Sequence, residues 1–224
     1  MASFLLMVGV LPPLIIAFNL WDIVRTMLAS PAPRENPHVA PELSHFVPED
    51  FNRLLEAQGF RFSRAYSFHA VRFAIWVRFS ADPPLRTFSV ARCHGRTACE
   101  FVTAFSDHAS LTTTNTRSSF VFPRPFGSFL QSFPGANAGG LLRAHLEGED
   151  YILSQLRIVV EQCTLPFLAA FERDIIRTLS HVTSFRWWVI RGIYWYSIKR
   201  FLLHNRPLSR QNSAELYRKP QAQL

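Results

Sequence analysis

The stretch Met1–Trp21 (MASFLLMVGVLPPLIIAFNLW) carries no charged side chain, and a run of that kind has few folded destinations. At about 1.5 Å of rise per residue a helix of this length reaches roughly 32 Å, against a hydrocarbon core of about 30 Å. Phe4, Leu5, Leu6, Val8, Val10, Leu11, Leu14, Ile15, Ile16 and Phe18 dominate it. Together they contribute roughly −3 to −6 kcal/mol to insertion. Pro12 and Pro13 oppose a straight helix, although membrane helices tolerate proline better than soluble ones. A cleavable signal peptide should open on a basic residue and end at a small-residue site. Here no basic residue precedes the run, and the sites near Ser30 and Ala32 are each followed by proline. A buried soluble helix is rarely apolar on every face. The expectation is a retained transmembrane helix over residues 1–28, with Trp21 at the headgroup level.

Arg25 and Arg34 follow the apolar run, and by the positive-inside rule they place the N-terminus outside and the body in the cytoplasm. Residues 29–48, with Pro31, Pro33, Pro37, Pro41 and Pro48, read as an extended linker. A helix is predicted from Pro48, with Glu49 and Asp50 at its positive end, Phe51, Leu54 and Leu55 on one face and Gly59 as the stop.

Beyond Gly59 the hydrophobic period becomes two. Phe60 and Phe62 alternate, then Tyr66 and Phe68, then Phe73, Ile75, Val77 and Phe79. Further strand candidates are 87–92, 99–105 and 110–114. Residues 123–140, rich in Pro, Phe, Ser and Gly, read as a loop. Helical patterning returns over 141–145, 150–163 and 166–182. The predicted architecture is α+β: an N-terminal transmembrane helix, a helix, an antiparallel meander of about five strands, and C-terminal helices. The globular domain spans 49–182, a basic aromatic helix 183–206, and a flexible tail 207–224. Fourteen of the 21 phenylalanines lie between Phe51 and Phe133, which a small strand-rich core explains without invoking a ligand pocket.

The net charge of +8 is concentrated at one end. From residue 183 onward eight basic residues face the single acid Glu215. Trp21, Arg186, Trp187, Trp188, Arg191, Trp195, Lys199 and Arg200 are therefore candidate membrane-interface residues, since Trp and Tyr favour the headgroup layer and basic side chains an anionic leaflet. On a helical wheel those charges scatter, so a clean amphipathic helix is not predicted. Nucleic-acid binding, with arginine on phosphate and aromatics on bases, is the less favoured use of the same residues.

Catalytic signals are weak. Cys93, His94 and Cys99 lack the second ligand pair a structural zinc needs, so no metal and no cofactor is assigned. Ser106, Asp107 and His108 contain triad residue types, but consecutive side chains cannot align as nucleophile, base and orienter. A turn explains them better. His145 with Glu149 four residues on could be an orienting pair, but reads as a surface pair. The sequence thus describes a membrane-anchored, non-enzymatic module that binds a protein partner or an apolar ligand beside the bilayer. The competing reading is a membrane-bound enzyme of unidentified reaction class, with Asp107, His108 and His145 as candidate catalytic residues.

Overall fold

A computed structural model describes residues 14–19, 21–22, 24–25, 34–35, 47–68, 73–79, 86–93, 96–105, 109–117, 124–155 and 167–211. The architecture is α+β around one seven-stranded mixed sheet whose strands lie in sequence order. These are β1 (Arg34–Glu35), β2 (Arg61–Phe68), β3 (Phe73–Phe79), β4 (Arg86–Cys93), β5 (Arg96–Ala104), β6 (Ser110–Thr114) and β7 (Ser128–Ser132). Pairing is antiparallel throughout except between β6 and β7, which run parallel.

Seven strands replace the expected meander of about five, and both additions lie where strand signals are poorest. β1 is two residues inside the proline-rich stretch, held by pairing to Ser67 and Tyr66 and by an Arg64–Glu35 ion pair of 2.6 Å. β7 lies inside the segment read as a loop. All five of its residues are buried, so it shows none of the inside–outside alternation that marks a half-exposed strand. Its parallel pairing fits the connection: residues 115–127 separate it from β6, and a parallel neighbour needs a crossover of a dozen or more. A register shift between Phe62 and Arg64 also breaks the alternation read from Phe60, leaving Phe62 exposed while Phe60 is buried.

Helix α1 (Glu49–Ala57) starts where Pro48 predicts, with the Pro48 carbonyl accepting from Phe51 and Asn52. It stops at Gly59, whose φ of +74° is a left-handed conformation that glycine adopts without strain. Helix α2 (Ala138–Gln155) is continuous where the sequence suggested two pieces divided near Gly148. That glycine is a packing residue. A Cβ built there would overlap the Gln131 amide and sit 3.0 Å from Leu111 Cδ2, so the helix can approach the sheet this closely only with glycine.

α1 and α2 cover one face of the sheet. Phe51 and Leu55 from α1 meet Ala65, Phe88, Val90, Cys99 and Phe101 from the strands, and Leu141 from α2. Phe88 and Phe101 pack at 5.0 Å between ring centroids, and Phe51 joins Phe88 at 5.5 Å. These phenylalanines are core, as the strand pattern implies. A second cluster of Leu111, Phe129, Ile152 and Leu208 continues the layer toward β7.

The C-terminal part comprises α3 (Phe167–Thr183), α4 (Trp188–Tyr194), a π-helical turn (Trp195–Lys199), α5 (Arg200–Leu203) and a 3-10 turn (Leu208–Arg210). Residues 14–19, 21–22 and 24–25 are helical, and Ile16 and Val24 pack with Leu179 and Val182 of α3. Leu208 and Gln211, within the segment read as tail, are buried. Asn205 N–H donates to Ser132 O at 2.7 Å and Gln211 Nε2 to Leu130 O at 3.1 Å, so this segment covers the outer edge of β7. No helix among the described residues is long and apolar enough to cross a membrane. Residues 1–13, 20, 23 and 26–28 of the expected span 1–28 lie outside the described residues.

Candidate functional site

The register places Arg86 opposite Thr103, in the row of Leu111 and Phe129, and Thr113 opposite Gln131, in the neighbouring row of Phe88 and Phe101, so the polar residues run diagonally across the covered face. Along each of these strands the inward positions run from apolar to polar: Phe88 to Arg86, Phe101 to Thr103, Leu111 to Thr113 and Phe129 to Gln131. α2 lays His145 and Glu149, one turn apart, along this polar diagonal. The pair read as a surface feature is in fact interior, with side-chain exposures of 0% and 6%. The reason lies in the partner surface: four strands each contribute a polar inward residue, so the two side chains exchange water for protein donors and acceptors.

The hydrogen bonds fix the protons. Gln131 Oε1 accepts from Leu208 N–H at 2.8 Å, and its Nε2 donates to Ala144 O and Thr113 Oγ1, both at 3.1 Å. The Thr113 hydroxyl can then donate to His145 Nδ1 at 2.9 Å. His145 is left with its proton on Nε2, which donates to Thr103 Oγ1 at 3.0 Å. The Thr103 hydroxyl donates in turn to Glu149 Oε1. Arg86 closes the chain, with Nε 2.9 Å from Oε1 and Nη2 2.7 Å from Oε2 of Glu149.

Burial pushes the His145 pKa below that of ordinary histidine, against the pull of Glu149, so the ring is neutral at physiological pH. Burial alone would raise the Glu149 carboxyl. Its contacts with His145, Arg86 and Thr103 outweigh that and bring it down to about 2. Every ring nitrogen of His145 and both Glu149 oxygens are engaged inside the chain. The arrangement ties α2 to strands β4, β5 and β6 through side-chain hydrogen bonds, and to β7 through Gln131.

Of the other candidates, Asp107, His108, His94 and the Cys93 side chain lie outside the described residues. Cys99 is buried, and burial pushes its thiol up to about 12, which removes it as a nucleophile. No group of three or more His, Cys, Asp or Glu side chains among the described residues is placed to hold a metal. An open groove of about 520 Å³ between α1 and the start of α2 includes Arg53, Asn137 and Arg143. There Asp50 already accepts from Ala138 N–H at 3.0 Å and Asn137 from Gly140 N–H at 2.9 Å, so the helix-end donors have partners.

The candidate interface residues divide. Arg186, Trp187 and Arg191 are exposed, and Trp21 is half exposed while its ring stacks on Trp188 at 5.6 Å and 16°. Trp195 turns inward against Leu130 and Leu203. Lys199 is partly buried, and the Arg200 side chain lies outside the described residues. Tyr194 is exposed too, and so are Ile190, Ile198, Phe201 and Leu202, which a reading built on Trp, Tyr and basic residues does not single out. The signal was present as one apolar residue per turn. No protein-family model matches this chain, and no curated protein or solved structure shows significant similarity to it.

Proposed function

We propose that this chain is a non-enzymatic binding module held at the cytoplasmic face of a membrane by its N-terminal apolar segment, presenting the α+β body to a protein partner or an apolar ligand. The observation that carries this reading is the two-sidedness of the helical residues 14–19, 21–22 and 24–25. Ile16 and Val24 pack on α3, while Leu14, Ile15, Phe18 and Trp21 are each more than half exposed. Four large apolar side chains in water at the end of an uncharged run are costly unless lipid or a partner covers them. The closed His145–Glu149 cluster supports the non-enzymatic half of the reading, because it binds only the chain's own groups.

Membrane flotation tests it. The full chain should float with bilayers in the absence of detergent. A variant lacking residues 1–15 and carrying Phe18→Ser, which spares Ile16, Trp21 and Val24, should move largely to the soluble fraction. A full chain that stays soluble without detergent overturns the proposal.

A further inference from the structure

We infer that the outer face of residues 187–202 is a second membrane-contact surface, lying in the plane of an anionic leaflet; the inference rests on the membrane reading above. From Trp188 to Leu203 the backbone is continuously helical through α4, the π turn and α5. Its inner side is spent on the body: Trp188 and Ile193 pack with the Val24–Leu179–Val182 cluster, and Trp195 and Leu203 with Leu130 of β7. Its outer side is apolar as well. Ile190, Tyr194, Ile198, Phe201 and Leu202 are between 48% and 59% exposed, at successive turns. A helix apolar on two sides requires two apolar environments, and the described body supplies one.

The turn before α4 adds Trp187, 67% exposed and held at φ +70°. A bulky side chain in the left-handed region is strained and persists only where its surroundings impose it. Here the strained residue is the one that presents an indole to the outside. The N-terminal apolar face adjoins this surface through the Trp21–Trp188 stack.

Charge selects the occupant. Arg186, Arg191, Arg206 and Arg210 are exposed in the same C-terminal segment, and residues 183–224 carry a net +7. The Arg191 guanidinium lies 4.0 Å from the Phe185 ring centroid, a positive charge seated on an aromatic face at the rim. A second copy of this chain would bring like charge against like. An anionic leaflet offers an apolar interior for Ile190, Ile198 and Phe201, a headgroup layer for Trp187 and Tyr194, and negative charge for the arginines.

The test uses the full chain with vesicles of phosphatidylcholine alone and of phosphatidylcholine with phosphatidylserine, in a flotation assay read as bound fraction. Wild type should bind the phosphatidylserine vesicles at least ten-fold more tightly than the neutral ones, with added salt removing most of that difference. Ile190→Ser/Ile198→Ser/Phe201→Ser should lose at least ten-fold in affinity for the anionic vesicles while keeping the wild-type near-UV circular dichroism. Arg186→Gln/Arg191→Gln should lower the preference for phosphatidylserine several-fold and leave neutral binding unchanged. If wild type and the triple variant bind anionic vesicles equally, the inference is overturned while the N-terminal anchor stands. If the triple variant changes only the oligomeric state seen in sedimentation velocity, the face belongs to a second copy and the inference is again overturned. If wild type binds neither vesicle, the membrane reading fails with it.

Discussion

Replacing Arg86 by methionine isolates the electrostatic part of the interior cluster. The guanidinium makes a two-point contact with Glu149, whose side chain is 6% exposed, while Arg86 itself is 29% exposed. Glu149 is displaced from an ordinary value of 4.5 to about 2. At 1.36 kcal/mol per pKa unit, a shift of that size corresponds to a net native-state stabilisation of the carboxylate of about 3 kcal/mol, what its partners contribute less the cost of its burial. Removing one partner of a buried pair costs about 3–5 kcal/mol in general, and partial access of water to the Arg86 position reduces it here. The expected loss for Arg86→Met at pH 7 is therefore about 2–3 kcal/mol, or a fall in Tm of roughly 4–12 °C for a chain of this size.

The pH dependence has a definite sign. A carboxylate with a lowered native pKa stabilises the fold above its unfolded value and loses that contribution as pH falls through the native one. The gap between wild type and Arg86→Met should be full above the ordinary glutamate value of 4.5 and close progressively as pH falls toward about 2. Adding Glu149→Gln removes the charge left behind, so Arg86→Met/Glu149→Gln should recover about 1–2 kcal/mol relative to Arg86→Met alone. Urea unfolding followed by tryptophan fluorescence across this pH range measures all three variants. A wild-type-like Arg86→Met at pH 7, or a gap of equal size at pH 7 and pH 3, would refute the assignment of Glu149 as a paired buried anion.

His145 has a native pKa below its ordinary 6.5, so the unfolded chain takes up the proton first and wild-type stability should decline as pH falls below about 6.5. His145→Phe should abolish that slope in urea titrations while losing about 2–3 kcal/mol at pH 7, because Thr103 and Thr113 lose a shared partner. An unchanged slope would show that another histidine carries it. Gly148→Ala tests the close approach of α2 to the sheet. In an open helix this change gains about 1 kcal/mol. Against Gln131 and Leu111 it should instead destabilise by about 1–3 kcal/mol in thermal unfolding, and a stabilised variant would mean that the helix can shift away.

What could be read from the sequence followed the rules that act along the chain. Pro48, Glu49, Asp50 and Gly59 mark α1 because helix ends select residues locally. Strands β2 to β5 carry a period of two in their apolar residues, and the abundance of phenylalanine correctly implied a core. β7 is hidden because both its faces are buried, and α2 reads as separate stretches, 141–145 and 150–163, although Gly148 between them is a packing residue inside one helix. The polar cluster was the least legible part. His145 and Glu149 are visible as a helical pair, but their partners Arg86, Thr103, Thr113 and Gln131 come from four strands separated by up to 45 residues. Only the strand register brings them under one helix. Exposure was equally hidden: Trp195 and Trp187 look alike in sequence, yet one packs on Leu130 and the other faces outward.

The closure of β7 by Asn205, Leu208 and Gln211 bears on how the body is made during synthesis. β7 leaves the ribosome more than seventy residues before the segment that covers its edge and supplies the donor for Gln131. For that interval a nascent chain carries a complete row of strands with an open, hydrogen-bonding margin and a Gln131 carbonyl oxygen without its Leu208 donor. The sheet therefore reaches its final form only when residues 205–211 emerge. Stalling or truncation between Ser132 and Leu208 should yield an aggregation-prone species, where a cut after Gln211 should not.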